Sequence, residues 1–175
     1  PVKAATMQQH EMHAEWIEVD TVLINKIIQQ ITKPSNNTVI AVGTTSLRTI
    51  ESLYWMGVKA LANPNISIEE IPIKQWEVYA LPQDIDAVVA LQTLLQWFQK
   101  NNQDKIICKT QILILDSYQL KIVSALITNF HQPASTLLLL IAAVVGQEWK
   151  NIYRHAMEHN YRFLSYGDGS LLFKV

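Results

Sequence analysis

The run Val39-Ile40-Ala41-Val42-Gly43-Thr44-Thr45-Ser46-Leu47-Arg48-Thr49-Ile50-Glu51-Ser52 sets the fold class of this chain. Four apolar residues form a short strand. Gly43 and three hydroxyl residues then turn that strand into a helix, predicted from about Leu47 to Met56 and closed by Gly57. Upstream, Val19, Val22, Leu23, Ile27, Ile28 and Ile31 fall at helical spacing until Pro34-Ser35-Asn36-Asn37 breaks the chain as a turn. Downstream, Leu61 to Pro82 reads as loops with one or two edge strands. Pro82 and Asp84 open an amphipathic helix with Val88, Val89, Leu91, Leu94, Leu95 and Phe98 on one face. Gln111 to Leu115 and Leu120 to Val123 flank Asp116-Ser117-Tyr118-Gln119 as a predicted β-hairpin. Helices follow from Ser135 to Val145 and from Glu148 to about Asn160, separated by Gly146. A last hairpin is expected through Phe163, the turn Tyr166-Gly167-Asp168-Gly169, and Leu171-Leu172-Phe173. Strands and helices interleave, so the class is α/β, a mixed sheet flanked by helices.

A chain of 175 residues with 49% hydrophobic content can bury one core, so a single domain over residues 1–175 is expected. That apolar share excludes a disordered segment. The formal net charge of -1 lacks the basic footprint of a non-specific nucleic-acid binder, so any RNA contact must be a local patch or lie outside this sequence. The longest apolar run, Leu137 to Val145, is well short of the roughly 20 residues of a membrane span and reads as a buried helix. Cys108 is the only cysteine, which excludes an internal disulfide, fits a reducing compartment, and reads as a buried strand thiol. The start Pro1-Val2-Lys3 carries neither an initiating Met nor a signal-peptide pattern and reads as the middle of a longer protein.

Four clusters carry chemistry-bearing groups. His10-Glu11-Met12-His13-Ala14-Glu15 concentrates imidazoles and carboxylates that can move protons. It could equally be a solvated terminus, and a metal-dependent hydrolase on His10 and His13 is a minor alternative, since the zincin order of ligands is absent. Gly43 to Ser46 places helix-start amides where an anion binds, with Arg48 available as a bidentate clamp; ordinary helix capping is the competing reading. Thr128-Asn129-Phe130-His131-Gln132-Pro133-Ala134-Ser135-Thr136 gathers polar groups on a strand-to-helix loop, where α/β proteins bind ligands. Tyr161-Arg162-Phe163-Leu164-Ser165-Tyr166-Gly167-Asp168-Gly169 offers aromatics that could stack a base, or simply a tight Asp-Gly turn. Lys150, Arg154 and Arg162, with His155 and His159, add a basic strip that is either phosphate-facing or merely solvated.

Taken together and in this order, the His-x-Met-His-x-Glu, Val-Gly-Thr-Thr-Ser-x-Arg-Thr-x-Glu-Ser, Thr-Asn-Phe-His-x-Pro-x-Ser-Thr-Leu-Leu and Tyr-Arg-Phe-x-Ser-Tyr-Gly-Asp elements resemble the S-adenosylmethionine:tRNA ribosyltransferase-isomerase family of queuosine biosynthesis. The resemblance spans both ends of the chain and corresponds to the C-terminal catalytic part of a larger two-domain protein, whose N-terminal portion and inserted β-barrel domain are absent from this sequence. It implies a cytoplasmic enzyme with no cofactor, no metal and no membrane partner. S-adenosylmethionine is the implied ribosyl donor, and tRNA carrying 7-aminomethyl-7-deazaguanine the acceptor. The implied products are epoxyqueuosine-tRNA, adenine and methionine. The resemblance places His10, His13, Glu15, His131 and Asp168 among catalytic groups. Thr44, Thr45, Ser46, Arg48, Asn129, Ser135, Arg162 and Tyr166 would bind substrate. The chain departs from the family pattern at Ala14, at Asp116-Ser117-Tyr118 and around Ser124-Ala125, and the segment at about 60–105 reads as a family-atypical insertion. Without its missing portions the chain is expected to be inactive. The alternative is a domain of this descent that binds S-adenosylmethionine or RNA without chemistry.

Overall fold

Asp20 marks the first structural boundary. Strand β1 (Glu15–Asp20) ends on it, and its carboxylate caps helix α1 (Thr21–Ile31), Oδ1 accepting from the Leu23 amide at 2.7 Å. A short acceptor here satisfies one of the orphan donors of the first helical turn. Val19, expected in the helix, is instead a buried strand residue. These elements come from a computed structural model that describes residues 12–132 and 135–175. The order continues with β2 (Ile40–Val42), α2 (Thr44–Ala62), α3 (Ala87–Lys100), β3 (Lys105–Thr110), β4 (Ala125–Asn129), α4 (Thr136–Val145), α5 (Trp149–Glu158) and β5 (Gly169–Phe173). The described chain divides into two compact units: a helical unit from residues 12–39 and 48–113, and a sheet unit from residues 40–47 and 114–175.

In the helical unit β1 pairs antiparallel with β3, Glu15 opposite Thr110 and Asp20 opposite Lys105. Alternation along both strands turns Ile17, Val19, Ile106, Cys108 and Thr110 inward. The outward face carries Lys109 over the Trp16 ring at 4.9 Å and a Lys105–Glu18 ion pair at 2.8 Å. Cys108 is the buried strand thiol expected, and burial pushes its pKa up to about 11, far from a reactive thiolate.

Helix α2 is buried on every side from Glu51 to Ala60, so it forms the centre of this unit. It does not stop at Gly57, as predicted, but runs on to Ala62. Gly57 sits mid-helix because α3 crosses there so closely that a Cβ would overlap the Ala90 carbonyl. Helix α3 starts after Asp86, not Asp84, and the Asp86 carboxylate accepts from the Val88 and Val89 amides at 2.9 and 3.1 Å. The segment between these helices contains turns and one 3-10 turn (Glu77–Tyr79) but none of the edge strands expected. Its backbone is held instead by the buried Lys59 ammonium, whose three donors meet the Glu70 and Pro72 carbonyls and the Glu77 carboxylate. Trp97 adds an indole bond to the Ile66 carbonyl at 2.9 Å.

The predicted hairpin over residues 111–123 does not form, although a turn does occupy Asp116 and Ser117. The amides of Gln111 and Leu113 bond instead to the carbonyls of Ile73 and Gln75, at 3.0 and 3.2 Å, so the apolar run pairs with the long loop. The terminal hairpin is also absent. Residues 162–168 close on themselves, Asp168 N–H donating to the Arg162 carbonyl at 2.8 Å, and β5 pairs antiparallel with β4. Because β2 pairs parallel with β4, the sheet of order β2-β4-β5 is mixed, as expected. One face buries Ala41, Leu126 and Leu172, in the unit that also buries Leu140, Ile141 and Val144 of α4. The opposite face leaves Ile40, Val42, Ile127, Leu171 and Phe173 exposed, in register across the three strands.

The crossing at Gly57 gives the fold a signed test. Alanine in an open helix interior raises stability by up to about 1 kcal/mol relative to glycine. At Gly57 the added methyl meets backbone, so Gly57→Ala is expected to destabilise by about 1–3 kcal/mol in urea unfolding followed by circular dichroism. A stabilised variant would contradict the close crossing.

Candidate functional site

The two parallel strands of the sheet unit end side by side. Val42 lies opposite Ile127, and the Gly43 amide bonds to the Ile127 carbonyl at 2.8 Å, extending the ladder one residue past β2. Gly43 has φ +88, a backbone conformation open to glycine, and the chain turns there directly into the first turn of α2. Thr44, Thr45 and Ser46 thus stand at a helix start, the positive end of the helix dipole, beside the end of β4.

At the end of β4, Asn129 lies opposite Gly169, and its side-chain amide donates to the Gly167 carbonyl at 3.1 Å. The next residues are locked from both sides. Phe130 donates to the Asp168 carbonyl at 3.4 Å and accepts from Leu164 N–H at 2.8 Å. Its ring packs edge-on against Tyr153 and Tyr161, at 5.4 and 5.6 Å. His131 then emerges half-buried. Its backbone amide donates to the Tyr153 hydroxyl at 3.0 Å, and its Nε2 lies 3.1 Å from the Thr128 hydroxyl. Burial lowers the His131 pKa below the ordinary histidine value, so the imidazole is neutral at pH 7. Ser135 caps α4 through the Leu137 amide at 3.2 Å.

The sheet unit therefore brings Thr44, Thr45, Ser46, Asn129, His131 and Asp168 to one end of the sheet. Asp168 is used by its own loop: Oδ2 accepts from Arg162 N–H at 2.7 Å and Oδ1 lies 3.4 Å from the Arg162 guanidinium. The hydrogen bonds from Arg162 hold its carboxyl below the usual carboxylate range. Tyr166 is 98% exposed and stands in solvent. Thr128 and Tyr153, which fix His131, carried no assignment in the sequence reading. Thr128 lay inside a quoted motif, whereas nothing marked a tyrosine on a distant helix.

Of the first cluster, His10 and Glu11 lie outside the described residues, and His13 is exposed just ahead of β1. In the helical unit Glu15 meets Arg48, Oε1 to Nη1 at 2.7 Å, and Arg48 Nε donates to the Ile112 carbonyl at 3.1 Å. Arg48 is buried, and desolvation lowers its pKa while the Glu15 carboxylate works against that shift. The predicted anion clamp thus holds an internal carboxylate. Glu15 Oε2 and Arg48 Nη2 remain buried without a hydrogen-bond partner. Among the described residues no group of three or more His, Cys, Asp or Glu could hold a metal ion, and no helix is long and apolar enough to cross a membrane.

Comparison with known proteins finds relatives over most of the chain. The chain is 36% identical over 173 residues to an S-adenosylmethionine:tRNA ribosyltransferase-isomerase of Cereibacter sphaeroides, covering 98% of this chain and 37% of the relative. It is 35% identical to the enzyme of the same name from Legionella pneumophila, covering 98% of this chain and 38% of the relative. The crystal structure of an S-adenosylmethionine tRNA ribosyltransferase from Thermotoga maritima is similar at a TM-score of 0.55 and 29% identity, over 89% of this chain and 40% of that one. The chain therefore spans a little over a third of the length of these relatives. The sequence profile of the queuosine biosynthesis protein family matches residues 1–172, and the chain belongs to that family.

Proposed function

We propose that this chain carries part of the site of an S-adenosylmethionine:tRNA ribosyltransferase-isomerase, and that the sheet-end cluster holds S-adenosylmethionine. One observation carries the reading: the parallel strands β2 and β4 end together, one on Gly43 and the hydroxyls of Thr44, Thr45 and Ser46, the other on Asn129 and His131. The crevice outside the carboxyl ends of parallel strands is where open α/β sheets take ligands. Helix-start amides suit an anionic group such as the methionine carboxylate, and Asn129 suits a ribose or base edge.

The reaction moves the ribosyl group of S-adenosylmethionine onto the aminomethyl nitrogen of 7-aminomethyl-7-deazaguanine in tRNA. The ribose is rearranged to an epoxycyclopentanediol while adenine and methionine leave. A base must take the C5′ proton beside the sulfonium, and an acid must assist adenine departure. His131, neutral at pH 7, is able to accept a proton. The exposed apolar sheet face, in a chain covering 37% of a relative's length, supports a site completed by further segments of the family's protein.

Two measurements follow. Nuclear magnetic resonance titration should give His131 a midpoint below 6.5, the ordinary histidine value. Because the unfolded chain then binds the proton first, stability should fall as the pH drops below that value and level off once folded His131 is protonated. A midpoint at or above it would contradict the desolvation of His131, and one above pH 7 would remove it as a neutral base there. For the reaction itself, adenine release from S-adenosylmethionine is assayed with tRNA carrying 7-aminomethyl-7-deazaguanine. The chain alone is compared with a chimera in which it replaces the matching segment of the Legionella pneumophila relative. Release by the chimera and none by the chain alone is expected. A chimera that binds S-adenosylmethionine yet releases no adenine would turn the reading toward a binding domain.

A further inference from the structure

Beyond Glu15 the strand β1 loses its backbone ladder. Continuing the register that sets Glu15 opposite Thr110 would place His13 opposite Ile112. The Ile112 amide already donates to the Thr110 hydroxyl at 3.3 Å, and its carbonyl accepts from Arg48 Nε at 3.1 Å. The segment leading into β1 is held one residue further back by side chains. Gln75 Oε1 accepts from Met12 N–H at 2.9 Å, and Gln111 Nε2 donates to the Met12 carbonyl at 3.3 Å.

Both glutamines are themselves fixed. Gln111 N–H donates to the Ile73 carbonyl at 3.0 Å, and Leu113 N–H to the Gln75 carbonyl at 3.2 Å. Two side-chain amides of opposite polarity thus do for Met12 what a neighbouring strand would do. The clamp pins one end of the Met12–Glu15 segment, and the Arg48–Glu15 pair, at 2.7 Å, pins the other. His13 lies between these two anchors, exposed but tethered on both sides. Gln75 belongs to the long segment between α2 and α3, whose sequence matched no motif.

We propose that Gln75 and Gln111 are positioning residues that hold the Met12–Glu15 segment, and His13 within it, in place for the reaction. This rests on the functional reading above and gives the long segment a role in it. Proper placement matters because a displacement of about 1 Å at a reacting group can cost on the order of 10²-fold in rate.

The polarity of the clamp supplies the test. Gln75→Glu keeps an acceptor for the Met12 amide, Gln75→Leu removes it, and Gln111→Glu puts an acceptor against the Met12 carbonyl. In the chain, Gln75→Leu and Gln111→Glu should speed hydrogen exchange of the Met12 amide about tenfold, whereas Gln75→Glu should leave it slow. In the chimera, Gln111→Glu should lower kcat for adenine release about 10²-fold with KM for S-adenosylmethionine and the unfolding midpoint unchanged, while Gln75→Glu retains turnover. Unchanged Met12 exchange in Gln111→Glu would overturn the proposal. So would equal damage from Gln75→Glu and Gln111→Glu, or lost Met12 protection with kcat intact. If Gln75→Leu unfolds the unit, the two glutamate variants still decide the question. A chimera without turnover would count against the functional reading, and the exchange pattern would still judge the clamp.

Discussion

Arg48 lies one turn into α2 and is almost wholly buried, where a guanidinium with five donors must find acceptors. It finds Glu15 on β1 and the Ile112 carbonyl just past β3, so one side chain ties a helix, a strand and an irregular run together. A buried ion pair adds little net stability, but breaking one costs on the order of 3–5 kcal/mol, because the survivor is left charged and unpaired. Its effect here is geometric. The pair lies at the first residue of β1, Arg48 also bonds Ile112 just past the ladder, and Met12 beyond it is held by glutamine amides.

The sheet unit follows a related logic. The Asn129 amide, the Asp168 carboxylate and the Tyr153 hydroxyl each satisfy backbone donors or acceptors of neighbouring loops. Such bonds tie each loop to its neighbour. Loops so tied at strand ends can present His131 and a helix start without rearrangement. Desolvation keeps the His131 imidazole neutral, the protonation state a base needs.

Much of this was legible in the sequence. The Gly43 turn announced itself through the change from an apolar run to hydroxyls, and the helix predicted from Ser135 to Val145 followed from its apolar run. Gly57 misled, because a glycine at a predicted helix end and a glycine at a helix crossing look alike until the partner helix is known. The false hairpin at 111–123 had a genuine turn at its centre, but the apolar run found its hydrogen-bond partners 38 residues upstream, at Ile73 and Gln75. Pairings of that range leave no local signal. The same holds for Tyr153 beneath His131, and for Arg48, whose charge suggested a ligand when the carboxylate it holds is Glu15.

The most direct test of the account is where S-adenosylmethionine touches this chain. Backbone amide resonances, followed while S-adenosylmethionine is titrated into the labelled protein, report contact residue by residue. Shifts are expected to centre on Gly43 to Ser46, Asn129 to His131 and Gly167 to Gly169, the segments that share one end of the β2-β4-β5 sheet. Binding that leaves those segments unmoved and shifts residues elsewhere would contradict it.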